Sequence, residues 1–269
     1  MKQQKWIVDT TLRDGMQRHG IRLNLEQKLR IAELLDEAGV YEIEAGIPTS
    51  GKEACDAVYA IARTVKHAKV AAWNRLRETD IKASFLCKPD LLHICVPVSY
   101  LQIYTLLKKN KAWIGRQVDS CVGLARSKGY EVTVGFEDAS RADISFMVSL
   151  AAQLAGLGVT RIRLSDTVGV LVPSQTRQLV RDLREYTGME IEIHAHNDLG
   201  MAVANSLEAA KNGADYIDTT LGGIGERAGN CCYHQFISLA SRIFQLNSSL
   251  FPALLLEEQA AEFMGQNNA

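Results

Sequence analysis

Short runs rich in β-branched and aromatic residues alternate with longer amphipathic stretches along the chain, and this alternation constrains the fold more than any single motif. The runs predict strands at Trp6–Thr10, Tyr41–Ala45, Val70–Ala72, Leu91–Val96, Glu131–Phe136, Arg161–Leu164, Glu190–His194 and Tyr216–Thr220. The intervening stretches predict helices at Leu25–Ala38, Lys52–Val65, Ile114–Lys128, Ile144–Leu157, Ser174–Tyr186 and Met201–Asn212, with about His234–Gln245 closing the series. Glycine follows several of them, as in Ala38-Gly39 and Leu157-Gly158, where a helix end wants a left-handed residue. Eight strands in βα alternation is the count of an α/β fold of the (β/α)8 TIM-barrel type. An open doubly wound sheet is the alternative. It carries a Gly-rich phosphate turn after its first strand, whereas here that strand runs into Thr11-Leu12-Arg13-Asp14-Gly15. The expected division is a barrel over residues 1–247 and a tail over 248–269, in which Phe251–Phe263 forms a docking helix.

Nearly every unusual polar cluster follows a predicted strand: Thr10–Gln17, Glu44–Pro48, Asn74-Arg75, Ser99, Glu137–Arg141, Asp166-Thr167, His194–Asp198 and Gly222–Asn230. In a barrel all the strand C-termini surround one mouth, so this placement marks an enzyme. Composition excludes other classes. A net charge of −1 supplies no basic footprint for nucleic acid, and no apolar run is long enough to span a bilayer. The six cysteines show no CxxC pairing and no disulfide spacing, which points to a reducing, cytoplasmic setting. Adjacent Cys231 and Cys232 read as buried thiols, because neighbouring residues rarely ligate one ion comfortably.

The sharpest chemical signal is Ile191–Gly200, where His194 and His196 stand at i and i+2 at a strand end. That spacing sends both imidazoles to one side, as half of a divalent-metal site. In a closed barrel the seventh, eighth and first strands are neighbours. Asp14, after the first, and Asn230, after the eighth, can therefore converge on the histidines. The resulting mixed N/O set suits Mg²⁺, Mn²⁺, Fe²⁺ or Zn²⁺ and would polarise a carbonyl. Arg13 could neutralise charge developing on an oxygen. Glu192, one strand repeat before His194, could orient a ligand imidazole or act as acid/base.

These motifs resemble the isopropylmalate synthase/homocitrate synthase family. The matching stretches are Asp9–Gly15, Glu44–Pro48, Glu137–Arg141, Asp166–Gly169, His194–Gly200 and Gly225–Asn230, in order from about residue 5 to 245. His93–Ser99 and Val134–Arg141 look most like the nitrogen-fixation homocitrate synthases of that family. The resemblance implies a TIM barrel that condenses acetyl-CoA with a 2-oxo acid, most expectedly 2-oxoglutarate, on Mg²⁺ or Mn²⁺. It implies Asp14, His194, His196 and Asn230 at the metal and Arg13 as catalytic. Gln17, His93, Glu137 and Thr167 would form the 2-oxo acid pocket, and Glu192 would be a proton-transfer group.

Departures from the family pattern shape further expectations. Met16 stands where the family usually has glutamate, as in relatives that cleave 4-hydroxy-2-oxo acids, so an aldolase is an alternative alongside a 2-isopropylmalate-type synthase. Thr133 and Gly135 replace an arginine and a serine of the lysine-pathway enzymes, so the far carboxylate needs another cation, for which Arg75 and Arg141 are candidates. Family members also continue into a helical region that completes the neighbouring active site. A second subunit carrying that region, within an oligomer, is therefore expected. A non-catalytic scaffold is the remaining reading.

Overall fold

Alternate residues of the strands are Ile, Val or Leu facing a ring of helices, and the residues between them are polar or charged and face inward. The computed structural model describes residues 2–248 and 256–262. Its strands are β1 (Gln4–Asp9), β2 (Glu42–Gly46), β3 (Lys69–Arg75), β4 (Leu91–Pro97), β5 (Glu131–Glu137), β6 (Arg161–Asp166), β7 (Glu190–Ala195) and β8 (Ala214–Thr219). Consecutive strands pair in parallel, and β1 pairs with both β8 and β2, which closes the barrel. The surrounding helices are α1 (Leu25–Glu37), α2 (Lys52–Thr64), α3 (Glu78–Cys87), α4 (Lys111–Ser127), α5 (Ile144–Gly156), α6 (Pro173–Thr187), α7 (Ala202–Lys211) and α8 (Tyr233–Ala240). The (β/α)8 expectation holds.

The hydrophobic core lies between sheet and helices. Ile43, Ile94, Val134, Ile162, Ile193 and Ile217 are fully buried there against residues such as Ile31, Ile61, Val118, Leu154 and Val180. Local signals set the helix starts. Asn24 and Gln27 form a reciprocal capping box on α1, and Asn110 caps α4 by accepting from the Trp113 amide at 2.8 Å. The N-terminal end of the barrel interior carries rings, with Trp6 and Tyr41 centroids 5.0 Å apart and Tyr41 and Tyr216 5.4 Å apart.

Three elements differ from expectation. α3 was not anticipated, because its buried face is built from Asp80, Ile81, Ser84 and Cys87, small and polar residues that give little apolar periodicity. A π-helical segment at Leu101–Leu106 follows β4. α8 ends at Ala240 rather than near Gln245. The chain then turns so that Gln245–Leu246 (β9) pairs with β1, where Asn247 Oδ1 accepts from the Ile7 amide at 2.8 Å. Of the expected docking helix, residues 256–262 are helical, with Leu256 and Ala260 buried, while Phe251–Leu255 and Phe263 lie outside the described residues.

Asp36 ties α1 to the α2–β3 turn by accepting from the backbone amides of Lys66, His67 and Ala68 at 3.0, 2.9 and 2.7 Å. Asp36→Ala orphans these amides, and urea unfolding should show a loss of about 2–4 kcal/mol.

Candidate metal centre and active-site cavity

The pleat of β7 sends Glu192, His194 and His196 to the barrel interior at successively higher levels. His194 Nδ1 lies 2.8 Å from Asp218 Oδ2 on β8, and its Nε2 lies 3.4 Å from Asp14 Oδ2. Asp218 thereby fixes the ring, with Nδ1–H donating downward and Nε2 turned to the mouth. His196 Nε2 is 3.9 Å from the same Asp14 oxygen, and the two rings stand nearly perpendicular at a centroid distance of 5.0 Å. Ligand atoms of Asp14, His194 and His196 all fall within 4.8 Å of one another, and all three residues are buried.

Asn230 stands beside this set. Its Nδ2 donates to Asp14 Oδ1 at 2.9 Å and to the Ile224 carbonyl at 3.0 Å, while its buried Oδ1 has no hydrogen-bond partner. An unsatisfied buried acceptor is costly, and a cation beside it would satisfy it. Gly225 allows this approach, because a Cβ there would collide with the Asn230 amide and reach 2.8 Å from Asp14 Oδ1. Two imidazoles, a carboxylate and an amide oxygen fit a divalent cation.

The charges suit that purpose. Burial disfavours a charged Asp14, yet Arg13 and the two histidines hold its carboxyl well below the usual range. Burial also opposes a charged His194, but hydrogen bonds to Asp14 and Asp218 raise it to about 9. Burial and the neighbouring His194 push His196 down to about 3.

Arg13 donates through Nη1 to Asp14 Oδ2 at 2.8 Å and through Nε to Glu44 Oε2. The other Glu44 oxygen accepts from Arg163 Nη1 at 2.8 Å, and Arg163 Nε also meets Glu192 and, at 3.1 Å, Asp218. One buried guanidinium thus braces both Arg13 and His194. Gln17, His93, Glu137 and Thr167 line a cavity of about 140 Å³ together with Arg13, Asp14, His194 and His196. Thr167 Oγ1 accepts from the Asp138 amide at 2.8 Å, and Glu137 accepts from Cys95 Sγ at 3.2 Å.

Glu192 requires a correction. It is fully buried a layer beneath the cavity, between Arg161 and Arg163, and does not line it. Burial alone would raise its pKa, but the two guanidiniums hold it at about 2. A carboxylate so placed positions Arg163 and is poorly suited to exchanging protons with a substrate. The candidate cations for a far carboxylate also separate. Arg141 forms a two-pronged pair with Asp138 and does not line the cavity, and Arg75 is paired with Asp80. Sequence reasoning missed Glu44, Arg163 and Asp218 as supports and Trp73 and Glu226 as cavity walls. The signal was the alternation Glu42-Ile43-Glu44 and Arg161-Ile162-Arg163, charge in strands that a barrel buries on both faces.

Arg163→Met leaves Glu44, Glu192 and Asp218 buried without their shared cation, so urea unfolding should show a loss of about 3–5 kcal/mol. Calorimetry should also show weaker Mn²⁺ binding, by at least about ten-fold. In the native protein a metal must displace the His194 proton. Affinity therefore rises roughly ten-fold per unit between about pH 7 and 9 and flattens above, which metal titrations across that range would check.

The HMGL-like family model matches residues 4–249. A "Homocitrate synthase subunit alpha" of Clostridium pasteurianum is 45% identical over 88% of this chain and 88% of its own length. "2-isopropylmalate synthase 2" of Caldanaerobacter subterraneus subsp. tengcongensis is 38% identical over 90% of this chain and 63% of its own. The chain spans about two thirds of the length of several curated relatives that it matches. A solved hydroxymethylglutaryl-CoA lyase from Pseudomonas aeruginosa superposes with a TM-score of 0.86 over 100% of this chain and 96% of that one, at 16% identity, and shares the fold. By both the family match and these identities, the chain belongs to the HMGL-like family, where it groups with homocitrate and 2-isopropylmalate synthases.

Proposed function

We propose that the chain is an acyltransferase that condenses acetyl-CoA with a 2-oxo dicarboxylic acid on a divalent metal, with 2-oxoglutarate as acceptor and homocitrate as product. The observation that carries this reading is the buried Asp14–His194–His196 cradle with Arg13 fixed beside it, in a chain 45% identical to a homocitrate synthase subunit. Nitrogen-fixation metabolism is the setting favoured by the resemblance of His93–Ser99 and Val134–Arg141. Mg²⁺ or Mn²⁺ suits the mixed donor set best, with Zn²⁺ and Fe²⁺ as alternatives.

Bound at Asp14, His194, His196 and Asn230, the metal would polarise the oxo group of the acceptor. Arg13, held by Glu44 and Asp14, presents its guanidinium to the cavity and stabilises negative charge on oxygen as the carbon–carbon bond forms. Gln17, Thr167 and the neutral His93 orient the acceptor, His93 being kept uncharged by burial and by the nearby Arg163. Besides Asp14, which is committed to the metal, the carboxylates lining the cavity among the described residues are Glu137 and Glu226, and proton transfer at the acetyl methyl falls to them rather than to Glu192.

The designation of one relative as a subunit supports a second polypeptide that completes the site within an oligomer. The 4-hydroxy-2-oxo acid aldolase reading draws on Met16, which lines a separate cavity beside Arg13 and Gln17.

The test is release of free thiol from acetyl-CoA with 2-oxoglutarate and Mg²⁺ or Mn²⁺, with and without a candidate partner chain. Arg13→Gln should lower kcat by roughly 10²–10³. No thiol release in any combination sinks the condensation. Thiol release with 2-oxoisovalerate alone assigns the 2-isopropylmalate reaction, and pyruvate formation from a 4-hydroxy-2-oxo acid assigns the aldolase.

A further inference from the structure

A second cavity lies beside the one at the metal centre. Trp73, Cys95 and Glu137 line both, and the second, of about 470 Å³, lies beyond the ends of β3 and β4. Trp73 and Trp113 give it apolar walls, and Arg75, Arg77 and Lys109 bring cations to it. Its one lining carboxylate among the described residues is Glu137, at the shared throat.

These cations are not equivalent. Arg75 is neutralised by Asp80, with Nε to Oδ2 at 2.7 Å and Nη2 to Oδ1 at 3.2 Å. Arg77 has no carboxylate partner among the described residues, and Lys109 Nζ lies 5.5 Å from the Trp113 ring with no carboxylate partner either. Two uncompensated cations beside tryptophan walls make a receptor for an anion carried on an apolar stem.

We propose that this outer cavity receives the far carboxylate of the 2-oxo dicarboxylate, bound by Arg77 and Lys109, while the 2-oxo end occupies the metal cavity. The proposal rests on the condensation reading above and names the specificity determinants of that same site. The methylene chain passes Trp73 and Cys95, and the outer volume leaves room for an acceptor one methylene longer than 2-oxoglutarate. Coenzyme A phosphates are anions as well, but the pantetheine arm separates them by many bonds from the reacting carbon. The outer cavity, by contrast, shares three walls with the metal cavity.

The experiment is calorimetric titration of the Mn²⁺-loaded full chain with 2-oxoglutarate, 2-oxoadipate, 2-oxoisovalerate and coenzyme A. The proteins compared are wild type, Arg77→Gln, Lys109→Gln and the double variant, whose exposed side chains leave folding intact by circular dichroism. In the double variant the Kd for both dicarboxylates should rise by at least about ten-fold, with that for 2-oxoisovalerate changing less than about two-fold. Unchanged dicarboxylate affinity overturns the assignment, and weakened coenzyme A binding in its place gives the cavity to the phosphates. A wild-type chain that binds 2-oxoisovalerate but neither dicarboxylate instead overturns the substrate reading on which the proposal rests.

Discussion

The metal centre hangs from one buried guanidinium. Arg163 on β6 meets Glu44 from β2, Glu192 from β7 and Asp218 from β8, and its side chain is 1% exposed. Barrel interiors are usually filled by layers of Val, Ile and Leu, which need no charge compensation. An interior of that kind would be at least as stable, because removing paired ions from water costs about as much as their attraction returns. Stability therefore does not account for Arg163. What hangs from it does: Glu44 carries Arg13, Asp218 carries His194, and both arms end on Asp14. Beneath it Arg161 repeats the arrangement with Glu42 and Glu192 and lies over the Tyr216 ring at 4.3 Å.

Burial acts on two acids in this layer with different outcomes. Burial pushes Asp218 well above the ordinary carboxyl range, while Arg163 and Arg161 overcome the same effect at Glu192 and hold it at about 2. Asp218 Oδ1 and Glu192 Oε2 are both buried without a donor. Asp218 Oδ2 meets His194 Nδ1 at 2.8 Å.

The barrel was legible because βα alternation is a property of contiguous segments, and the polar clusters after the strands located the mouth before any contact was known. Asp14, His194 and His196 were legible because strand periodicity and barrel adjacency together bring them to one place. Glu192 shows where that reasoning stops. An i, i+2 relation gives the face of a strand but not depth along the barrel axis, and depth decides whether a carboxylate meets substrate or guanidinium. The supporting pairs were hidden for another reason. Arg163 and Glu44 lie 119 residues apart, and no local pattern states which buried charge answers which. α3 escaped because Ser84 and Cys87 bury its inner face where larger apolar residues would have marked it.

The corner between β4 and β5 shows how few residues separate one specificity from another. Gly135 leaves the space that His93 fills, since a Cβ there would lie 2.6 Å from His93 Nε2. Thr133 Oγ1 holds the opposite nitrogen, Nδ1, at 2.9 Å. The ring is fully buried and faces Arg163, so burial and that neighbouring charge keep it neutral. This corner can therefore orient an acceptor but offers its carboxylate no positive charge. A larger residue at position 135 would displace His93. The inner cations Arg13, Arg161 and Arg163 are each paired with buried acids. Under the condensation reading proposed above, recognition of a dianion moves to the adjoining outer cavity, where Arg77 and Lys109 have no carboxylate partner among the described residues.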